Sequence, residues 1–157
     1  MTDLISPDKT MRIEKIKTDK KRYLDLLLLG DESEAMIDRY LERGDMYALF
    51  DGDLKSLCVI TKEENGTHEI KNIATSPQYQ GQGYGKTLIR YLSENHAKPG
   101  DTMMVGTGNT PKIIRFYTGC GFSYSHTLPD FFTDHYPEPI VEDGIQLIDM
   151  IYLKKTC

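Results

Sequence analysis

The sequence predicts an α/β fold, a single domain built on one mixed sheet. Three observations predict it. Blocks of alternating or β-branched residues recur along the chain at strand length. Two tight-turn signals, Asp51-Gly52-Asp53 and Asn65-Gly66, join three of these blocks into a meander. Between other blocks lie segments of helical period, each bounded by residues that start or stop helices. The resulting order is β-α-α-β-β-β-α-β-α-β-β, about seven strands and about four helices over residues 11–157. Residues 1–10 are polar and read as a loose N-terminal segment.

The elements follow in order. Met11 to Ile16 alternates and forms the first strand. Asp19 is placed to cap a helix running to about Leu29 and ended by Gly30; Ser33 opens a second, through Ala35-Met36-Ile37 and Tyr40-Leu41, closed by Gly44. The meander is Met46 to Phe50, Leu54 to Lys62 and Thr67 to Thr75. A third helix carries Tyr84, Leu88, Tyr91 and Leu92 on one stripe and ends near His96, before Lys98-Pro99-Gly100. Thr102 to Thr107 is a strand, and Thr110-Pro111 pairs a cap with a proline at the first helical position of a fourth helix ending at Gly119. Phe122 to His126 and Gln146 to Leu153 are the last strands, separated by a Pro- and aromatic-bearing insertion from Thr127 to Ile145.

Composition narrows the function. The formal charge of −5 argues against a nucleic-acid-binding surface, and no apolar run approaches the ~20 residues of a membrane span. The acidic N-terminus does not read as a secretory signal. Three cysteines, Cys58, Cys120 and Cys157, lack metal-ligand spacing; together these features predict a reduced, cytoplasmic protein with no metal site.

The most informative stretch is Ile73 to Leu88, where a strand meets Ser76-Pro77, then glycines at 81, 83 and 85, then a helix. Glycines there permit positive φ and close approach of a ligand. The first helical turn offers unpaired N–H groups to a phosphate. Two phosphate-binding motifs fail on it. G-x-G-x-x-G would need glycine at Lys86 or Leu88, and G-x-x-x-x-G-K-[ST] would need glycine at Gln80. What remains is Gln80-x-x-Gly83-x-Gly85, which resembles the coenzyme-A pyrophosphate loop of the GNAT (GCN5-related N-acetyltransferase) family. Downstream, Asn109, Phe116-Tyr117 and Gly121-Phe122 follow the same family's pattern of an asparagine, a helix bearing Phe-Tyr and a Gly-Phe strand start. The resemblance runs from about Met11 onward and is weakest in the two early helices and the insertion.

It implies a mostly antiparallel sheet and an acetyl-CoA-dependent N-acetyltransferase. Gln80, Gly81, Gln82, Gly83, Tyr84, Gly85 and Lys86 would cradle the pyrophosphate through backbone N–H groups. Ile73, Ala74 and Thr75 would pair with the pantetheine arm like a further strand, in a gap opening toward Thr102 to Thr107. Asn109 would bond the same arm, and Lys86 and Arg90 would reach the adenosine phosphates. A backbone N–H near Ala74 or Thr75 would serve the oxyanion, and Tyr117 would protonate the departing thiolate. A core aromatic is the other reading of Tyr117. Glu69, read as in phase with Lys71 and Ile73 on its strand, is the candidate base for the amine; solvation on the sheet surface is its other reading. His68, His126 and His135 are further candidates.

Two functions stay open on the sequence: the enzyme, acting as a monomer or homodimer on a small-molecule or peptide amine, and a non-catalytic acyl-CoA-binding module. Between Arg115 and Lys154 there is no lysine or arginine, while Asp130, Asp134, Glu138, Glu142, Asp143 and Asp149 lie among Phe131, Phe132 and Tyr136. With Asp25, Asp31, Glu32, Glu34, Asp38, Glu42 and Asp45 on the early helices and the turn after them, this predicts an acidic acceptor side and a cationic acceptor, unless these acids only face solvent.

Overall fold

The computed structural model describes residues 2–3 and 11–157; the rest of the segment expected to be loose lies outside the described residues. Strands β2 (Met11–Ile16), β3 (Asp45–Asp51), β4 (Asp53–Lys62), β5 (Thr67–Thr75), β6 (Thr102–Gly108), β7 (Ser123–Leu128) and β10 (Met150–Thr156) form the sheet, with the two-residue β1 (Thr2–Asp3) on one edge. Its order is β1-β2-β3-β4-β5-β6-β10-β7, antiparallel except for β5 and β6. Two short strands, β8 (Val141–Glu142) and β9 (Ile145–Gln146), make a separate hairpin.

Helices cover both faces. On one, α1 (Leu24–Gly30) and α2 (Glu34–Asp38) bury Leu27, Ile37 and, just beyond α2, Leu41 against Leu57, Val59 and Ala74. On the other, α3 (Tyr84–Asn95) and α4 (Pro111–Gly119) bury Leu88, Leu92 and Tyr117 against Cys58, Ile60 and Ile70. A central strand buried on both faces reads as a continuous apolar run, which is why Leu57 to Ile60 lack alternation.

The meander, α3 and α4 match the sequence reading closely. Ser33 and Thr110 cap their helices, accepting from the N–H groups of Met36 and Ile113 at 3.2 and 3.3 Å. Elsewhere the structure differs. Asp19 sits in the left-handed region (φ 53°) and makes no side-chain cap; residues Lys20–Tyr23 form a 3-10 turn before α1. Gly30 belongs to α1, and a Cβ there would overlap Asn72 Oδ1, so close packing rather than chain reversal explains it. The last strand begins at Met150, and the insertion holds a fifth helix, α5 (Phe131–His135), besides the β8–β9 hairpin.

Strand β5 carries the feature that shapes the site. Val59 pairs with Asn72 but Ile60 pairs with Ile70, so Lys71 is an extra residue bulged out of the ladder. The bulge reverses the strand's facing: Ile70 and Ile73 both pack on the α3/α4 side, whereas Ala74 packs on the α1/α2 side. The parallel ladder to β6 stops at Ile70–Val105, and beyond it the two strands part.

The closed end of that fork is pinned by a chain of four side chains centred on the buried His68. Asp45 Oδ2 lies 2.9 Å from His96 Nε2, His96 Nδ1 lies 2.9 Å from His68 Nδ1, and His68 Nε2 lies 2.8 Å from Asp101 Oδ2. Only one proton fits between the facing Nδ1 atoms, so one ring donates there and the other accepts. Burial, reinforced by the charge of His68, depresses the His96 pKa against the pull of Asp45. The hydrogen bond from His68 holds Asp101 below the usual carboxylate range. Both shifts make the unfolded chain bind more protons than the folded one as pH falls. Stability is therefore full above about pH 6.5, declines below it as His96 is forced to protonate, and declines again below about pH 4 as Asp101 does. Thermal unfolding between about pH 8 and about pH 2.5 should show this two-stage fall, and His96→Asn should flatten the upper stage. A Tm independent of pH between 7.5 and 5 would rule the account out.

Candidate active site

The parting of β5 and β6 opens a cleft lined by Ile70 to Ile73, Val105 to Gly108, Ile113 and Tyr117, and walled by Leu29 to Glu32, Phe132, Tyr136 and Glu142. Ser76 N–H bonds the carbonyl of Lys55 in β4 at 3.1 Å. Strand alternation therefore turns the backbone of Ala74 toward β4 as well, and its carbonyl also accepts from Ser56 Oγ at 2.8 Å. Ile73 and Thr75 face the other way, into the gap. Of the three residues expected to offer backbone groups there, Ala74 is thus turned aside.

The glycine-rich loop lies at the end of the same strand. Gly81 and Gly83 have φ of 80° and 89°, and a Cβ at either would meet nothing within 4 Å. The loop thus carries both a conformation that side chains resist and open space above it. Gln80 Nε2 donates to the Thr75 carbonyl at 3.1 Å, tying loop to strand, and Gly83 is the N-cap of α3. Tyr84 turns its side chain into the core and donates to Asp51 Oδ2 at 2.7 Å, so only its backbone N–H remains for a ligand. Gly85 is needed for packing: a Cβ there would lie 3.0 Å from the Phe116 ring. Lys86 and Arg90 are exposed on α3. Asn109 is exposed just past β6 and does not line the cleft.

Tyr117 is buried, packed edge-to-face on Phe116 and Phe122, and borders the cleft. Its hydroxyl makes no hydrogen bond among the described residues. Burial, with the charges of Cys120 and Glu142, raises its pKa, so the phenol stays protonated through the neutral and alkaline range.

Glu69 lies before the bulge and therefore not on the face of Ile73, as an unbroken alternation would have it. It lines a second cleft, on the α1/α2 side, with Arg39, Arg43, Lys71, Phe131, Tyr136 and Tyr152. Lys71 Nζ pairs with Glu69 Oε2 at 3.1 Å, and Tyr152 Oη donates to the same oxygen at 3.4 Å. The two clefts share Asp31, Ile70, Lys71, Gly106, Tyr136 and Met150. His68 is committed to the chain from Asp45 to Asp101, while His126 stacks on Tyr152 and His135 on Phe131; none of the three lines either cleft.

Where the clefts meet stands Asp31. Tyr40 donates to its Oδ2 at 3.1 Å and Tyr136 to its Oδ1 at 2.7 Å. Tyr40 in turn accepts from Asn72 Nδ2 at 3.1 Å, and Asn72 donates also to the Leu27 carbonyl at 2.9 Å. Asp31 is thus fixed by α1, by the chain after α2 and by the insertion, 105 residues away in sequence. No pattern in the sequence distinguishes it from neighbouring acids. Of the six acids between Arg115 and Lys154 only Glu142 lines the cleft, and burial beside Glu32 and Asp143 raises its pKa. Asp149 instead accepts from the backbone N–H of Asp130 at 2.8 Å, and Asp130, Asp134, Glu138 and Asp143 are exposed. Among the described residues no cluster of His, Cys, Asp or Glu could hold a metal ion, and no helix is long and apolar enough to cross a membrane.

A central sheet that forks between one parallel pair, with a glycine-turned helix N-terminus at its mouth, defines an acyltransferase fold, and comparison with known proteins agrees. The family profile described as "Acetyltransferase (GNAT) domain" matches residues 42–124. The chain is 41% identical over 146 residues to the uncharacterized N-acetyltransferase YvbK of Bacillus subtilis (strain 168), covering 91% of this chain and 94% of that one. The crystal structure of a Bacillus subtilis acetyltransferase in complex with CoA superposes with a TM-score of 0.82 at 38% identity, covering 94% of this chain and 99% of that one. A GNAT family acetyltransferase from Elizabethkingia anophelis with acetyl-CoA bound gives a TM-score of 0.82 at 33% identity, over 95% and 99% of the two chains. The protein belongs to the GNAT acetyltransferase family.

Proposed function

We propose that this acetyltransferase moves the acetyl group of acetyl-CoA directly onto an amine that is cationic in solution, carried by a small molecule or a basic peptide. The observation that carries the acceptor class is Asp31, a carboxylate held at the junction of the clefts by two tyrosine hydroxyls, with Glu32 and Glu142 beside it. A fixed carboxylate among aromatic faces attracts an ammonium group and disfavours an anion.

The residues present fit acetyl-CoA. Gap-facing amides at Ile73 and Thr75 can bond the pantetheine arm, and the open space above Gly81 and Gly83 leads to the free N–H groups at the start of α3, which suit its pyrophosphate. Bound there, the donor supplies an activated acetyl thioester. Tyr117, kept protonated by burial, gives a proton or hydrogen bond to the sulfur as the thiolate leaves. Glu69 takes the proton that the ammonium must shed, directly or through water, with Lys71 and Tyr152 fixing its orientation. The N–H of Thr75 or Ile73 stabilises the oxyanion. The three cysteines, unpaired in the structure, suit a reduced cytoplasmic setting.

Steady-state kinetics on alkylamines tests the acceptor reading. Asp31→Asn should raise the acceptor KM by about tenfold or more while kcat changes little, since uniform binding rather than transition-state stabilisation is removed. Added salt should raise the wild-type KM in the same direction. An unchanged KM in Asp31→Asn, or preference for amines uncharged at the assay pH, would overturn the reading.

A further inference from the structure

Beyond Asp31 the second cleft continues for about 310 Å³, room for a small molecule but small for a protein segment. Its charges do not cancel evenly. Of the three cations lining it, Lys71 is paired with Glu69 and Arg43 with Glu63, at 3.1 and 3.3 Å. Arg39 has no carboxylate partner among the described residues; its Nη1 reaches only the Met36 sulfur, at 3.4 Å. Of the carboxylates, Glu69 has its lysine, whereas Asp31 accepts from two hydroxyls and the Ser33 N–H and has no cation partner among the described residues. One free anion and one free cation therefore line the same cleft without pairing with each other. Both act on Tyr136: its pKa is raised by burial, then by the bond to Asp31, and lowered by Arg39.

From this juxtaposition we infer that the acceptor is zwitterionic: its amine is read by Asp31, and a carboxylate or similar anion on the same molecule is read by Arg39. Closing a ligand over the cleft removes water from both charges, which is unfavourable for either one left unmatched. A simple alkylamine matches Asp31 and leaves the guanidinium stranded. A diamine does worse, because its second ammonium meets Arg39 with the same sign of charge. An amino acid or a related amino carboxylate matches both, and the planar guanidinium is suited to bind carboxylate by two parallel hydrogen bonds. Met36, Phe131, Met150 and Tyr152 supply apolar and aromatic surface around the charges for the carbon skeleton of such a ligand. The inference rests on the cationic-amine reading above, and narrows it away from polyamines.

The test compares kcat/KM for acetylation of an ω-amino carboxylate series of two to six carbons and of α-amino acids against the matching alkylamines and α,ω-diamines. At least one amino carboxylate should exceed its alkylamine and its diamine by about tenfold, mainly through KM. In Arg39→Gln that ratio should fall toward one, and Arg39→Lys should restore part of it, because the charge returns without the fork. A diamine preferred over every amino carboxylate would overturn the inference while leaving the cationic-amine reading intact. So would a ratio unmoved by Arg39→Gln. Acetylation of no amine in any series would overturn the reading itself and the inference with it.

Discussion

Saturating CoA should raise the Tm of the native protein, and Gly83→Val should abolish that rise while the domain stays folded. At ligand near 100 times its Kd, binding to the folded state alone adds about 2.7 kcal/mol. For a domain of this size that is a shift of about 5–10 °C. Gly83 is the position to change because two effects coincide there. Its φ of 89° excludes β-branched side chains, and the space where a Cβ would go is open, so a valine both strains the turn and occupies the approach to the α3 N–H groups. The loop is exposed and contributes no buried side chain at 81–83, so the core should survive. Differential scanning fluorimetry with and without CoA is sufficient. A native protein unmoved by saturating CoA would remove the donor assignment, and a full shift in Gly83→Val would remove the loop from it.

The second large effect is expected at Tyr117. Tyr117→Phe should lower kcat by about 10²-fold with little change in the affinity for acetyl-CoA, if the phenol assists the leaving thiolate. The structure makes this substitution unusually clean. The hydroxyl bonds nothing among the described residues, while the ring packs edge-to-face with Phe116 and Phe122 at centroid distances of 5.0 and 5.6 Å. Phenylalanine keeps that packing and strands no buried partner, so the melting temperature should hardly move. Stopped-flow or coupled thiol-release assays at saturating acetyl-CoA would read the loss. Unchanged turnover would make Tyr117 a packing residue only, and the proton for the thiolate would have to come from solvent.

On the proposed acceptor side the expected effects are of a different kind, because the groups there are proposed to act on binding. Asp31 and Arg39 lie at the ends of the two early helices and Tyr136 in the insertion, and a hydrogen bond of 2.7 Å ties Tyr136 to Asp31. Substitutions there should therefore appear in KM and in the ratio between acceptors, whereas those at Tyr117 should appear in kcat.

What the sequence by itself determined is what local chemistry encodes. The meander follows from alternation and from two turn signals, the caps of α2 and α4 from Ser33 and from Thr110-Pro111, and the loop from glycines at 81 and 83 that only positive φ explains. The order of elements and the two family motifs were legible for the same reason: each is a short pattern whose meaning does not depend on distant residues. The tertiary structure decided the rest. The bulge at Lys71 arises from the register between β4 and β5, which no single strand specifies, and it alone places Glu69 and Ile73 on opposite faces and turns the amide of Ala74 away from the gap. Gly30 reads as a helix stop until Asn72 is seen packed against it. Asp31 is one acid among many until Tyr136, folded back by an insertion with little periodicity, gives it a fixed position. Long-range pairing and packing choose among locally equivalent residues, and that choice placed Asp31 where the two clefts meet.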